Sequence, residues 1–246
     1  MVNKLKLEIL YEDLGLVVIN KPAGMLSIPD RFDAKLINAK HLLRQQFGEI
    51  YVVHRIDRDT SGVMCFARTK EAHRALSTQF SEHRPEKKYL ALTEGAVSVD
   101  EGEIDSPLQE DPRRPGKMRV ADRGGLTAFT KFQVIERFVD YTWVSLEIQS
   151  GRTHQIRVHM QSIGHPLVAD PLYSRRSSFL LSSIKGRKYR LGKEKEERPL
   201  LVRTALHAVS LGFVHPDTGD AMVHTVDPPK DLRASLQQLR KWNPMR

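Results

Sequence analysis

Short apolar segments, broken again and again by glycine, proline and charged residues, run through most of this chain, and few of them keep a helical period. Val144, Leu146 and Ile148 alternate with Ser145, Glu147 and Gln149 over 142–149, the pattern of a half-buried strand. Lys6–Tyr11, Leu16–Asn20, Tyr51–Val53, Gly62–Ala67, Lys87–Thr93 and Thr127–Ile135 read as further strands. A turn at Lys21-Pro22-Ala23-Gly24 follows the second of them, and 206–226 reads as a hairpin around Pro216-Asp217-Thr218-Gly219. Helical spacing is confined to a few places. Leu36, Ala39, Leu43 and Phe47 precede a stop at Gly48; Ala72, Leu76 and Phe80 share one face of 70–83. Ile156, Met160 and Ile163 mark a short helix ended by Gly164, and a last helix covers 231–242. Many short strands without a regular strand–helix alternation predict a mixed α+β fold rather than a doubly wound sheet.

The 246 residues are 40% hydrophobic, enough for a sizeable core. The lone cysteine, Cys65, leaves no internal disulfide and no Cys-rich metal site, and suits a reducing compartment. No apolar run approaches the roughly 18 residues of a membrane span, and Met1–Leu10 lacks a signal-peptide core. The chain therefore reads as soluble and cytoplasmic. Thirty-nine Lys and Arg against 30 Asp and Glu give a net charge of +9, which makes a polyanion such as RNA an obvious partner without settling the matter. Two segments read as long loops: 110–125, with Arg113, Arg114 and Lys117, and 182–198, with seven Lys or Arg against three Glu. RNA contact is one reading of both; solvated loops are the other.

The densest polar cluster is His54-Arg55-Ile56-Asp57-Arg58-Asp59-Thr60-Ser61-Gly62, set between apolar strands. Three chemistries compete for it. A hydrolytic triad of His54, Asp57 and Ser61 lacks the Gly-x-Ser-x-Gly turn that presents such a serine. A divalent cation on His54, Asp57 and Asp59 sits badly with Arg55 and Arg58, which oppose a cation and offer the carboxylates other partners. The third is a carboxylate acting directly, with basic residues around it gripping a polyanion. Asp59 alone is most simply a backbone-capping residue.

A second cluster runs Gly151-Arg152-Thr153-His154-Gln155-Ile156-Arg157-Val158-His159. His154 and His159 stand about 140° apart on a helix and do not share a metal-facing side. Arg152 and Arg157 open the helix, where the N-terminus already favours anions. Two exposed arginines would look the same.

Taken in order, these segments closely resemble the RluA-type family of RNA pseudouridine synthases. The central motif of that family, His-Arg-Leu-Asp, two residues, Thr-Ser-Gly, stands here as His54–Gly62 with Ile56 for the leucine. Asn20-Lys21-Pro22-Ala23-Gly24 matches the opening motif, and Lys87 with Tyr89 the Lys-x-Tyr strand. Gly151–His159, Gly164-His165-Pro166-Leu167 and Asp170-Pro171-Leu172-Tyr173 match the third motif, and Leu206-His207-Ala208 with Phe213 and His215-Pro216 the C-terminal pattern. The match runs from about Ile9 to Pro229 and implies one catalytic domain over 1–246. The extra N-terminal RNA-binding domain of many relatives has no counterpart in the match, so RNA grip is expected from the catalytic region.

The resemblance implies a mixed, mostly antiparallel central sheet flanked by helices and loops, with an RNA-binding cleft. It implies isomerisation of uridine to pseudouridine in ribosomal or transfer RNA, with no cofactor and no metal. Asp57 would be the catalytic carboxylate and Arg157 the arginine paired with it. Tyr89 would stack on the uracil, and Arg55 would enter the space left by the flipped nucleotide. Ile156 would line the pocket, while Lys21, Lys87, His54 and Arg152 would support the site or its RNA.

Overall fold

The computed structural model describes residues 7–30, 33, 35–192 and 196–245. In chain order the elements are β1 (Glu8–Glu12), β2 (Leu16–Lys21), α1 (Ala39–Phe47), β3 (Tyr51–Val52), β4 (Ser61–Ala67) and α2 (Lys70–Ser81). Then come β5 (Glu86–Glu94), β6 (Glu101–Asp105), β7 (Leu108–Glu110), β8 (Met118–Val120), β9 (Phe129–Arg137), β10 (Tyr141–Ile148) and α3 (Gln155–Ser162). The chain ends with α4 (Leu181–Lys185), β11 (Leu206–Val214), β12 (Ala221–Thr225) and α5 (Lys230–Trp242). Two compact units result, the first comprising residues up to Lys88 together with His207–Asp227, the second Tyr89–Leu206 and Pro228–Arg246.

In the first unit the strands run β1-β2-β4-β11, with β12 on β11 and β3 also on β4. All these pairs are antiparallel except β4 with β11, which is parallel, so the sheet is mixed and mostly antiparallel, as expected of an α+β fold. Every residue of β4 is buried, which is why Gly62–Ala67 is an unbroken apolar run rather than an alternation. Leu16, Val18, Val63, Cys65 and Ala67 pack with Ala72 and Leu76 of α2 into one core. That helix starts where the side chain of Thr69 accepts from the backbone N–H of Ala72, and α1 starts likewise on Asn38.

Gly62 shows how tightly the parallel pair is built. Its φ is +122°, and a Cβ at this position would lie 2.1 Å from the carbonyl oxygen of Ala208 on β11. Only glycine fits between these strands.

In the second unit β5, β10, β9 and β6 are neighbours in that order. Leu92, Trp143 and Tyr141 pack with Leu232, Leu236 and Leu239 of α5, whose leucines recur at helical spacing. Asp231 in the first turn of α5 takes a two-pronged ion pair from Arg203.

Several boundaries differ from the sequence expectations. The start of the first strand at Lys6 lies outside the described residues; β1 begins at Glu8. Strand β6, Glu-Gly-Glu-Ile-Asp, was not anticipated, because an edge strand paired only to β9 tolerates charges that a central strand does not. The loop expected over 110–125 is partly a hairpin, β7 with β8, pinned where the backbone N–H of Met118 donates to the Tyr173 hydroxyl. The loop expected over 182–198 contains most of α4 and a 3-10 turn at Gly186–Lys188; residues 193–195 lie outside the described residues. Among the described residues no helix is long and apolar enough to cross a membrane.

Candidate active site

In the first unit the two N-terminal motifs meet. Lys21 ends β2 with its side chain wholly buried, an expensive place for an ammonium unless its protons are taken. Its Nζ donates to the carbonyl oxygens of Met25 (2.7 Å), Pro22 (3.0 Å) and Arg58 (3.1 Å). The first two close the turn on which Gly24 takes φ +82°; the third belongs to the Asp57 loop. Gly24 reinforces the link, its N–H donating to the Arg58 carbonyl at 2.9 Å while its own carbonyl accepts from Arg58 Nε at 3.1 Å. Ser27 completes it by donating its hydroxyl to the Ile56 carbonyl at 2.7 Å. The turn after β2 is thus a cradle for 56–58. Ser27 was not among the residues expected in the site, and nothing in its local sequence marks it.

Within that loop Ile56 and Thr60 are buried, Asp57 and Asp59 half-buried, and Arg55 and Arg58 exposed. The loop therefore turns its apolar and hydroxyl side chains inward, leaving the Asp57 carboxylate partly accessible with cations beside it in the chain.

His54 anchors the start of the loop. Its ring stacks on Phe80 of α2, with centroids 4.6 Å apart, and its Nε2 accepts from the backbone N–H of Cys65 at 3.1 Å. An acceptor Nε2 requires a neutral ring protonated on Nδ1. Desolvation of the ring, and then the charge of Lys87, push its pKa down to about 3, in agreement with that assignment. Lys87, itself nearly buried on β5, has its pKa pulled down to about 8 by burial. Burial also raises the Cys65 thiol, which makes it an inert core group.

The hydrolytic and metal readings lose their parts here. Ser61 lies 2.9 Å from His207 Nδ1, and His207 Nε2 lies 3.0 Å from the Val226 carbonyl. That carbonyl needs a donor, so Nε2 carries the proton and the Ser61 hydroxyl donates to Nδ1. Both side chains are buried and tie β4 to β11; no triad with His54 is assembled. Among the described residues no group of three His, Cys, Asp or Glu side chains comes together to hold a metal ion, so His54, Asp57 and Asp59 do not form a ligand set.

The second unit holds Tyr89, Arg152, Ile156 and Arg157. Tyr89 is nearly buried on β5, 8% exposed. Helix α3 is entered through its N-cap residue His154, whose φ of +56° turns the chain sharply. Gln155 fixes this entry: its Oε1 accepts from the Ser150 hydroxyl and from the Arg152 N–H, while its Nε2 donates to the Phe129 carbonyl. Arg152 donates through Nε to the Thr127 carbonyl at 3.1 Å. Ile156, Arg157, Val158, His159 and Met160 are all buried. His159 is held between the Thr130 hydroxyl and the Ser106 carbonyl, a structural placement that burial matches by lowering its pKa.

Arg157 is not one of a pair of exposed arginines. Its Nε reaches Asp170 Oδ2 at 2.6 Å and its Nη2 reaches Asp170 Oδ1 at 2.8 Å, with the Asp170 side chain wholly buried. Asp170 Oδ1 also accepts from the N–H groups of Leu172 and Tyr173. The guanidinium lies over the Tyr173 ring, 5.0 Å from its centroid, and the Tyr173 hydroxyl meets His154 Nδ1 at 2.9 Å. Guanidinium, carboxylate and ring thus form a rigid clamp that fixes where Arg157 points. Asp170 and Tyr173 had been given no role beyond motif matching. The signal for Asp170 was present: an Asp whose carboxylate takes the N–H groups two and three residues on is a local turn former.

A family model described as RNA pseudouridylate synthase matches residues 15–162. A ribosomal large subunit pseudouridine synthase D from Zymomonas mobilis is 36% identical over 248 residues, covering 95% of this chain and 73% of that protein. A dual-specificity RNA pseudouridine synthase RluA from Vibrio vulnificus is 38% identical over 215 residues, covering 85% of this chain and 78% of that one. Among solved structures, human RNA pseudouridylate synthase domain containing 4 superposes with a TM-score of 0.71 at 25% identity, over 97% of this chain and 94% of that chain. Sequence identity of this extent over nearly the whole length places the chain in the RNA pseudouridine synthase family.

Proposed function

We propose that this chain isomerises uridine to pseudouridine within structured RNA, with Asp57 as the carboxylate that acts on the nucleotide. One observation carries the assignment to Asp57. The turn at 21–27 spends a buried ammonium, a backbone N–H and a serine hydroxyl on holding 56–58, while Asp57 itself stays half-buried between exposed Arg55 and Arg58. Such support for one short loop is what a reacting group needs, since a small misplacement is costly in rate.

The reaction breaks the N1–C1′ bond, turns the detached uracil, and joins C5 to C1′. The proton at C5 is lost and N1 gains one, so product and substrate are isomers and no external electron pair is consumed. Attack at C1′, attack at C6 and removal of a C2′ proton all begin from the same ionised carboxylate. In this reading Arg157, held in place by Asp170, is the arginine of the catalytic set. Tyr89 holds the free base by stacking, Ile156 walls the pocket, and Arg55 fills the gap in the RNA stack. Lys21, Lys87 and His54 set the loop, and Arg152 faces RNA beside the entry of α3. Both compact units act together as one catalytic domain. Large-subunit ribosomal RNA is the first substrate to try and transfer RNA the second, and a cytoplasmic location follows from either.

The test is release of tritium from transcripts of large-subunit ribosomal RNA labelled at uridine C5, with EDTA present. Wild-type protein should release it, and Asp57→Asn should not, while keeping its circular dichroism and its RNA affinity. Turnover that survives in Asp57→Asn removes Asp57 from its role.

A further inference from the structure

The second unit carries a polar cavity of about 500 Å³ that the reaction above does not use. Its lining combines Arg175 and Arg176 with Ser177, Ser178, Ser182 and Ser183, and one apolar side chain, Leu180. Both arginines are exposed, and among the described residues no carboxylate pairs with either. They head a stretch of unusual charge: 175–190 contains six Lys or Arg and no acidic residue. Two acids come near this segment: Glu197 accepts from the backbone N–H of Ser182 at 2.7 Å, and Glu94 from the Ser174 hydroxyl.

The backbone that presents the arginines is fixed. Ser174 Oγ accepts from the Arg176 N–H and donates to Glu94 Oε1 at 2.6 Å on β5, and the Ser174 N–H donates to the Asp170 carbonyl. The turn that clamps Arg157 therefore continues directly into this cavity. The Ser183 hydroxyl is spent on the Leu180 carbonyl, but guanidinium forks beside the Ser177, Ser178 and Ser182 hydroxyls are a donor set for a phosphate oxygen, and a cavity with this charge suits no cation.

We infer that this cavity is a phosphodiester-binding site, gripping the RNA backbone away from the reacting uridine. The inference rests on the proposed activity on RNA but assigns it a contact surface of its own. A strand seated here would be positioned against the same turn that orients Arg157. The contact supplies grip and register, carries no base specificity, and weakens as salt rises.

The experiment compares wild type, Arg175→Gln/Arg176→Gln, Arg175→Lys/Arg176→Lys, and a control of equal charge loss on α2, Lys70→Gln/Arg74→Gln. Binding to the C5-labelled ribosomal transcripts is measured across a salt series, and tritium release is followed in parallel. Loss of two phosphate contacts should make the slope of log K against log salt shallower by about 1.4–1.8, and weaken binding on the order of tenfold at moderate salt. The loss should fall on KM rather than kcat, the lysine pair should restore the slope, and the α2 control should stay near wild type. An unchanged slope in the glutamine pair overturns the inference, as does an equal change in the control, which would show only general surface charge. Inorganic phosphate that displaces RNA no better than chloride at equal ionic strength supports a backbone site; displacement at low phosphate concentration assigns the cavity to a free anion and overturns it. Wild-type protein that binds RNA with the expected slope but never releases tritium defeats the proposed activity and leaves this site standing.

Discussion

The ammonium of Lys21 lies 3.1 Å from the carbonyl oxygen of Arg58, joining the end of β2 to a loop 37 residues further along. The Asn-Lys-Pro-Ala-Gly motif and the His-Arg-Ile-Asp motif are thereby two parts of one device, the first shaping the second. Replacing Lys21 by methionine removes the donor and leaves buried carbonyls short of a partner. We expect a loss of about 2–5 kcal/mol in stability. Turnover should fall by roughly a hundredfold as Asp57 loses its fixed position. Thermal melts and tritium release measure the two effects. A well-folded Lys21→Met protein with full turnover would show that the cradle is dispensable.

His54 makes a prediction about pH. Its folded pKa of about 3 lies below the ordinary value of 6.5, so between these limits the unfolded chain binds a proton that the folded one refuses. Stability from this group is complete above about 6.5 and is lost as pH falls toward about 3. His54→Gln keeps an acceptor for the Cys65 N–H and does not titrate. Urea midpoints measured from pH 7 down to 4 should therefore fall more steeply for wild type than for His54→Gln. Parallel curves would mean that the ring is not held neutral.

The clamp on Arg157 separates stability from chemistry. Asp170→Leu strands a buried guanidinium and should cost about 3–5 kcal/mol. The double variant Arg157→Met/Asp170→Leu removes both charges, so most of that stability should return. Turnover should not return with it, because Arg157 itself is gone. Equilibrium unfolding and tritium release on the three proteins decide this; recovered turnover in the double variant would make Arg157 a purely structural residue.

Much of the fold was legible. The apolar run Gly62–Ala67, the alternation in 142–149 and the helical face Ala72, Leu76 and Phe80 became β4, β10 and α2. These succeed because burial on one face, on both faces or on one helical stripe imposes a period that is written in residue types. Strand β6 was missed because an edge strand buries little: of Glu101–Asp105 only Ile104 is buried, so no period marks it. The hairpin β7–β8 was missed for a related reason. Each strand is three residues long, too short to display an alternation.

For the site, the order of motifs named the family and the candidate carboxylate, whereas the duties of Lys21, His54, Arg157 and Ser27 emerged only from the folded chain. Lys21 is satisfied by three carbonyls, Ser27 by the Ile56 carbonyl across 29 residues, and His54 by a backbone N–H. Every residue but proline carries the same N–H and every residue the same C=O, so a side chain that pairs with backbone leaves no trace in the identity of its partner. One partner of Arg157 is a side chain, Asp170, 13 residues away, but one acidic residue looks like another until folding buries one of them against the guanidinium. Residue types and their spacing thus determined the strands, the helices and the chemistry on offer. Which charges hold the chain together and which are left for a substrate was decided by tertiary burial, because only burial removes the competing water and makes a particular pairing obligatory.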